Sequence, residues 1–568
     1  MDACTNPLNL SISFTFEFNS SHHLDRSSPA RLDYIDHLAL LHHQSLIHHC
    51  SCSRCSCSMA PAILTLLLLT LPSLLPSSCH AITGAGGRRR LPPTLPMLRR
   101  YSAGPGGGGS AVPPPPPQVQ YETRRFTQRL DHFNALPASY ATFQQRYLVN
   151  GTFWGGRAAP VFVYAGNEGE IELFANNTGL MWETAPRFRA MLVFVEHRYY
   201  GDSMPAAAYS NSTTTGYLTT TQALADFAEL ILSLKANLSA HAAPVVVFGG
   251  SYGGMLAAWM RMKYPHIVMG AVASSAPILG FYGLSDPYSF YDVISNDFKS
   301  ESQHCYDVLR SSWSELDKAL ATDAGRAQLT HTFNMCKGNV DAIPGLLENA
   351  LVYVAMTDYP TPSSFLTSLP AYPVRQICRA IDQPTSGNET LARIKEAMAI
   401  YYNHTGGLAC FGGAGDEDPY GMLAGWNWQA CTEMVLTMSY GVSGSSIFPP
   451  EPFNFTDVLA GCRAYTGLPP RPYWIEAHFG GFDIVNVLKR SASNIIFFNG
   501  LRDPWSAGGV LKSISKSIIA LVEPEGGHHV DLRFSTKEDP EWLKKVRRKE
   551  MRIIADWLRQ YYSEEAIA

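Results

Sequence analysis

The chain has almost no net charge with which to attract a polyanion. Its 44 Lys and Arg stand against 48 Asp and Glu, a formal −4, which gives no reason to expect nucleic acid as a partner. The basic run Lys544-Lys545-Val546-Arg547-Arg548-Lys549 does not change this. It lies in a helical pattern whose apolar positions are Leu543, Val546, Met551, Ile554, Trp557, Leu558 and Tyr561, so it reads as a solvated helix face. Internal repeats are absent to inspection. Long apolar runs are scarce, and the run at Met59–Leu71 is followed by Pro72 and Pro76 and by small residues near Ser78, Cys79 and Ala81. It reads as a signal peptide over residues 59–81 and excludes a stable membrane span there. Residues 1–58 form an upstream extension of doubtful biological meaning, with Met59 the expected start. Cys50, Cys52, Cys55 and Cys57 lack a second ligand cluster, which speaks against a metal site. What the chain does have is 46% hydrophobic and 11% aromatic residues, enough for a large globular core.

Entry into the secretory pathway has further support. Downstream of the signal, Asn-x-Ser/Thr sequons begin at Asn150, Asn176, Asn211, Asn237, Asn388, Asn403 and Asn454, which suits a glycoprotein. The cysteines beyond the signal are Cys305, Cys336, Cys378, Cys410, Cys431 and Cys462. In an oxidising compartment they read as three disulfides, and spacing alone does not choose among the connectivities. Residues 82–120 are a linker or propeptide, because the glycine run at 106–109 and the proline run at 113–117 cannot build a core.

Order is expected from Tyr121. Phe143–Val149, Pro160–Ala165, Met191–Glu196, Ala243–Phe248 and Ile267–Ser274 read as strands, with a helix over Thr220–Asn237 and another after Ser251. Asn494–Gly500 and Ile518–Val522 resume the pattern before a last helix. Strands alternating with helices predict an α/β fold, a doubly wound and mostly parallel sheet. Between them the pattern turns helical and carries all six cysteines. The chain is therefore read as a core in two parts, 121–284 and 480–568, with a helical cap at 285–479 over the strand ends.

Gly249-Gly250-Ser251-Tyr252-Gly253 joins an apolar strand to a helix. That context is what a nucleophile elbow needs, since the glycines permit the sharp turn that holds a serine hydroxyl over the sheet end. A serine hydroxyl needs a base to take its proton and an acid to orient the base. On this fold the chain order is Ser, acid, His. Asp503 follows the strand ending at Gly500, and His528 and His529 follow the next strand. Either histidine can be the base; Asp531 follows them and stands in the wrong order. His197, at another strand end, reads as a packing residue. The backbone N–H of Tyr252 is one expected oxyanion donor. The loop Gly166-Asn167-Glu168-Gly169 offers the other, from Gly166 or Asn167.

Gly166–Gly169, Glu196-His197-Arg198-Tyr199-Tyr200-Gly201, Gly249–Pro265, Asp503-Pro504-Trp505-Ser506 and His528-His529-Val530-Asp531-Leu532-Arg533 together resemble a family of prolyl serine peptidases, that of lysosomal Pro-X carboxypeptidase and dipeptidyl peptidase II. Gly254-Met255-Leu256-Ala257-Ala258-Trp259 is closer to the carboxypeptidase branch. The resemblance implies an α/β-hydrolase core with an inserted disulfide-containing cap, and cleavage after proline without metal or cofactor. It places catalysis on Ser251, Asp503 and His528, and a slot for the proline ring on Met255 and Trp505. It pairs Cys305 with Cys378, Cys336 with Cys410 and Cys431 with Cys462. Arg502 departs from the family pattern beside the acid; pointing inward, it would hold Asp503 ionised and weaken the base.

The expected activity is acyl transfer from a peptide with proline at the cleavage site, releasing a C-terminal residue. Removal of N-terminal X-Pro dipeptides is the alternative. A lipase or esterase, and a silent binding protein on the same fold, are the rivals. A vacuolar, lysosomal or extracellular glycoprotein fits the family, and no motif encodes the oligomeric state, a homodimer included.

Overall fold

The computed structural model describes residues 119–206, 208–209, 212–412, 422–441 and 445–565. The signal at 59–81, the extension at 1–58, the linker up to residue 118 and Asn211 lie outside the described residues.

Eight strands form a single sheet in the order β1-β2-β4-β3-β5-β6-β7-β8. They are β1 (Glu122–Arg129), β2 (Thr142–Asn150), β3 (Val161–Ala165), β4 (Met191–Val195), β5 (Val245–Gly250), β6 (Gly270–Ser274), β7 (Ile495–Gly500) and β8 (Ile518–Glu523). β1 and β2 run antiparallel, and every pairing from β4 to β8 is parallel. β1 is the strand the sequence pattern does not announce. It is a polar edge strand with only Gln128 buried, so apolar alternation is missing there.

The central strands are buried on both faces, and alternate residues divide between two helical layers. Val163, Val193 and Val247 pack on one side with α1 (Thr220–Asn237) and α2 (Tyr252–Lys263), through Phe227 and Trp259. Phe162, Phe194 and Phe248 pack on the other side against α10 (Glu541–Glu565), through Leu543 and Trp557. The basic run on α10 departs from a purely solvated face. Lys545, Arg548 and Lys549 are exposed, but Arg547 is buried and donates to the carbonyls of Asp531 at 2.9 Å and Val530 at 3.2 Å. It is paired with Asp539 at 2.5 Å.

β6 and β7 are neighbours in the sheet although a long helical insert separates them in sequence. That insert includes α3 (Ser289–Glu301), α4 (Gln303–Leu320), α5 (Ile343–Met356), α6 (Pro373–Asp382), α7 (Thr390–Tyr402), α8 (Met422–Gln429) and α9 (Phe455–Thr466). Ile294, Leu309, Leu347, Ile377 and Met398 give it an apolar cluster of its own. Three disulfides brace it, Cys305–Cys378 between α4 and α6, Cys336–Cys410, and Cys431–Cys462. These are the pairs the family resemblance implies. Among the described residues, no helix is long and apolar enough to cross a membrane. Of the described sequon asparagines, Asn237, Asn388 and Asn454 are exposed and Asn150, Asn176 and Asn403 are half-buried.

Candidate active site

β5 runs straight into the turn that carries Ser251. The serine adopts φ 60° and ψ −128°, a left-handed conformation that costs on the order of 1–3 kcal/mol and persists only where neighbours enforce it. Here its N–H donates to Ser274 O at 2.9 Å and its carbonyl accepts from Met255 N–H at 3.0 Å. A Cβ at Gly249 would lie 2.0 Å from Gly253 O, so only glycine permits the chain to double back so tightly.

Asp503 leaves the end of β7 fully buried and accepts the N–H of Trp505 at 3.1 Å. Its other oxygen, Oδ2, accepts the Nδ1–H of His528 at 2.8 Å. That bond fixes the tautomer and leaves Nε2 with a lone pair for the serine proton. His528 is held by the cap as well as by the core: its N–H donates to Met356 O at 2.9 Å, and Tyr359 Oη donates to its carbonyl at 2.9 Å. Ser251 and His528 line one cavity. Among the described residues no hydrogen bond joins them; such contacts often tighten only when substrate binds.

The neighbouring histidine has a different task. The His529 N–H donates to Ser275 Oγ at 2.8 Å, and its ring packs edge-on to Phe365 and over Gly250, where a Cβ would come within 2.9 Å of it. Burial pushes its pKa well below the usual histidine range, with the adjacent His528 adding to the effect. Asp531 does not face either imidazole as an orienting acid. It is fully buried and accepts from Ser274 Oγ. Arg502 turns away from Asp503 and pairs with Asp358 at 2.6 Å, Glu301 at 3.4 Å and Asp297 at 3.7 Å. The inward-pointing arginine considered from the sequence is therefore not what the fold contains.

The oxyanion donor set needs one correction. Gly166 N–H is already spent on Val195 O at 3.0 Å, holding the loop to β4. It cannot serve a substrate oxygen at the same time, which leaves Asn167 and Tyr252 as the candidates. The Tyr252 hydroxyl is anchored by Gln429 Nε2 at 2.9 Å and by Thr220 Oγ1 at 3.0 Å, and it donates to His197 Nε2 at 3.2 Å. His197 Nδ1–H donates to Arg198 O at 2.7 Å, and desolvation pushes its pKa down to about 4, so the ring is a neutral acceptor. The His197 segment is thus a support for the elbow. Within the same motif Glu196 accepts from Arg146 at 2.5 Å and Ser203 at 2.7 Å, and Arg198 pairs with Asp226 at 2.6 Å.

The cavity holds about 710 Å³ including its open mouth. Met255 and Trp505 both line it, and Trp505 is held edge-on by Phe290 at 4.9 Å. The cap adds Met356, Phe365 and Trp426, which no sequence pattern brought to the site. Glu168 also lines it; the loop is legible in the sequence, but its pattern carries no sign that this side chain reaches the cavity.

An eight-stranded mostly parallel sheet, a serine at the strained turn after β5 and a buried Asp–His pair beyond β7 and β8 are the arrangement of a serine hydrolase of the α/β-hydrolase fold. Residues 128–550 match the family described as serine carboxypeptidase S28, and the chain belongs to that family. It is similar to lysosomal Pro-X carboxypeptidase of Homo sapiens, with 39% identity over 451 residues, covering 78% of this chain and 89% of that protein. The protein of the same name from Bos taurus is 37% identical over 514 residues, 89% and 99% of the two chains. Thymus-specific serine protease of Mus musculus is 28% identical over 466 residues, 76% and 86%. Among solved structures, proline iminopeptidase of Mycobacterium smegmatis is similar at 12% identity, covering 77% of this chain and 98% of that one, with TM-score 0.36.

Proposed function

We propose that the chain is an exopeptidase that cleaves after proline and releases a C-terminal residue from Pro-X ends. Its mechanism is acyl transfer: His528 takes the Ser251 proton as the oxygen attacks the prolyl carbonyl, then gives that proton to the leaving amine. Water repeats the sequence, its proton passing to His528 and back to Ser251 as the acid is released. Asp503 orients the imidazole, while the N–H groups of Tyr252 and Asn167 receive the oxyanion. The bond from His528 Nδ1 to Asp503 at 2.8 Å carries the mechanism, and the family match with its Pro-X carboxypeptidase relatives supports the specificity. Met255 and Trp505 form flat apolar walls for the proline ring. The relatives named lysosomal and the three disulfides support a secretory route ending in an acidic compartment or outside the cell.

The test is made on protein starting at Ala81, with Ser251→Ala as control, at mildly acidic pH. One peptide is N-blocked and ends in Pro-Phe; the other is a free-amino Ala-Pro anilide. Release of phenylalanine alone is expected. Anilide release alone moves the chain to the dipeptidyl branch, and equal cutting by Ser251→Ala overturns the mechanism.

A further inference from the structure

The proposed acid and base stand in two core loops that are fastened to each other. Arg502 N–H donates to Gly526 O at 3.1 Å, and a Cβ on Gly500 would lie 2.1 Å from that same oxygen. The base itself is held from the other side. Both backbone polar groups of His528 bond to the cap: its N–H donates to Met356 O at 2.9 Å, and its carbonyl accepts from Tyr359 Oη at 2.9 Å. Gly527 lies against the same segment, since a Cβ there would come 3.3 Å from the carbonyl oxygens of Met356 and Asp358. Residues 356–359, at the end of α5, therefore grip the base. The segment is tied in turn to the acid's own loop. Asp358 is fully buried; its Oδ1 accepts from Val374 N–H at 3.1 Å, and its Oδ2 accepts from Arg502 at 2.6 Å.

We propose that Arg502 is a positioning residue for catalysis: through Asp358 it sets where the cap holds His528, and so how the imidazole meets Asp503 and Ser251. The inference rests on the triad proposed above and not on specificity for Pro-X ends. The bonds close a ring. It runs from Asp503 to the His528 imidazole, and from the His528 backbone to Met356 and Tyr359. From Asp358, between those two, it crosses to Arg502 and returns to Asp503 as the next residue in the chain. The link from guanidinium to carboxylate is charge-assisted, which makes it one of the strong kind. Cutting it frees the cap segment to shift against the loop that carries the acid. A displacement of about 1 Å at a catalytic group can cost on the order of a hundredfold in rate. Arg502 is absent from the lining of the cavity that holds Ser251 and His528. Its effect therefore belongs in kcat, with KM left nearly as it is.

The test follows labelling of Ser251 by a fluorophosphonate. The rate constant reads activation of the serine without a peptide substrate, and the end point counts folded sites. Arg502→Leu is expected to lower that rate constant, and kcat on the Pro-Phe peptide with it, by about tenfold or more, with KM within about twofold. Arg502→Lys, which keeps the charge, is expected to restore most of the loss. Asp358→Asn weakens the same tie but leaves Arg502 beside Glu301 and Asp297, so it decides the matter where Arg502→Leu does not fold. It is expected to lower the rate constant by about fivefold or more, and adding Arg502→Leu to it should cost little further. The downfield proton signal of His528 Nδ1–H should broaden in Arg502→Leu and persist in Arg502→Lys. A wild-type rate constant in Asp358→Asn, or in Arg502→Leu with a lowered Tm, makes the tie a brace for the cap and overturns the assignment. A raised KM with kcat intact makes it a support of the cavity wall and overturns it too. A wild type that is not labelled at Ser251 overturns the triad and this assignment together.

Discussion

Arg502 donates to Asp358 Oδ2 at 2.6 Å across the boundary between the core and the cap. The residue beside the proposed catalytic acid thus faces away from it and ties down the helical insert that holds His528. Asp358 is fully buried, and Asp297, the next carboxylate along, is nearly so and has no hydrogen bond to either oxygen. Removing one partner of such a cluster leaves buried charge without compensation.

Arg502→Met is therefore expected to cost about 3–5 kcal/mol near neutral pH. Burial pushes the pKa of both Asp358 and Asp297 up, so each is more readily protonated in the folded protein than in the unfolded chain. The uncompensated charge appears as pH rises and fades as it falls. The loss in Tm should then be smaller under mildly acidic conditions than at neutrality. An equal loss at both would show that the arginine contributes packing and not charge.

Asp503→Asn keeps the shape of the acid and reverses its hydrogen-bond preference for the His528 ring. A fall in kcat of about 10⁴-fold is expected, as for an imidazole held in the wrong tautomer. Single-turnover kinetics on the Pro-Phe peptide check this, and a fall of less than tenfold would assign the orienting role elsewhere.

Tyr252→Phe separates the side chain from the backbone donor. The hydroxyl meets Gln429, Thr220 and His197, all buried. Its loss should cost about 1–3 kcal/mol of stability, because those groups lose a partner without access to water. The oxyanion N–H remains, so kcat should change far less than in the Asp503 variant. Tm and kcat measured on the same preparation distinguish the two effects.

Asp531 is fully buried beside Ser274 and Glu550, and desolvation is the largest effect pushing its pKa up from 3.8 to about 6. Between those values the folded protein holds more protons than the unfolded chain, so stability from this group falls as pH rises through that window. Asp531→Asn should flatten the decline by an amount on the order of 3 kcal/mol, a rise of about 2.2 in pKa at about 1.4 kcal/mol each. His197 works in the opposite sense, its pKa lowered to about 4, so its share of stability falls as pH drops from 6.5 toward 4. The difference between variant and wild-type Tm profiles, and not either profile alone, is the readout. No difference would remove Asp531 from the account.

Trp505→Ala removes one proposed wall of the proline slot. A drop of about tenfold in the preference for proline over alanine at the cleaved position is expected, as fits the loss of a large apolar contact. If both substrates suffer equally, the indole serves packing against Phe290 and not specificity.

Much of the fold was legible before the structure. Val245–Gly250 and Ile495–Gly500 are apolar strands buried at every position, and their runs of Val, Ile and Phe say so directly. β1 escaped notice because an edge strand with one buried residue needs no apolar pattern. Gly166 was misread for a related reason. A glycine in a loop signals that backbone comes close to something, and here that something is Val195 O.

The elbow at Ser251, the strand ladder and the order Ser251, Asp503, His528 were determined by the sequence itself, because each depends on chemistry within a few residues: a glycine where no Cβ fits, or an apolar run that must be buried. Tertiary structure alone decided that Arg502 turns to Asp358 and that Met356, Phe365 and Glu168 wall one cavity, and it seats His528, the histidine the family resemblance implies, against Asp503. Those outcomes are set by the packing of segments far apart in the chain, where a side chain's direction follows from the space its distant neighbours leave open.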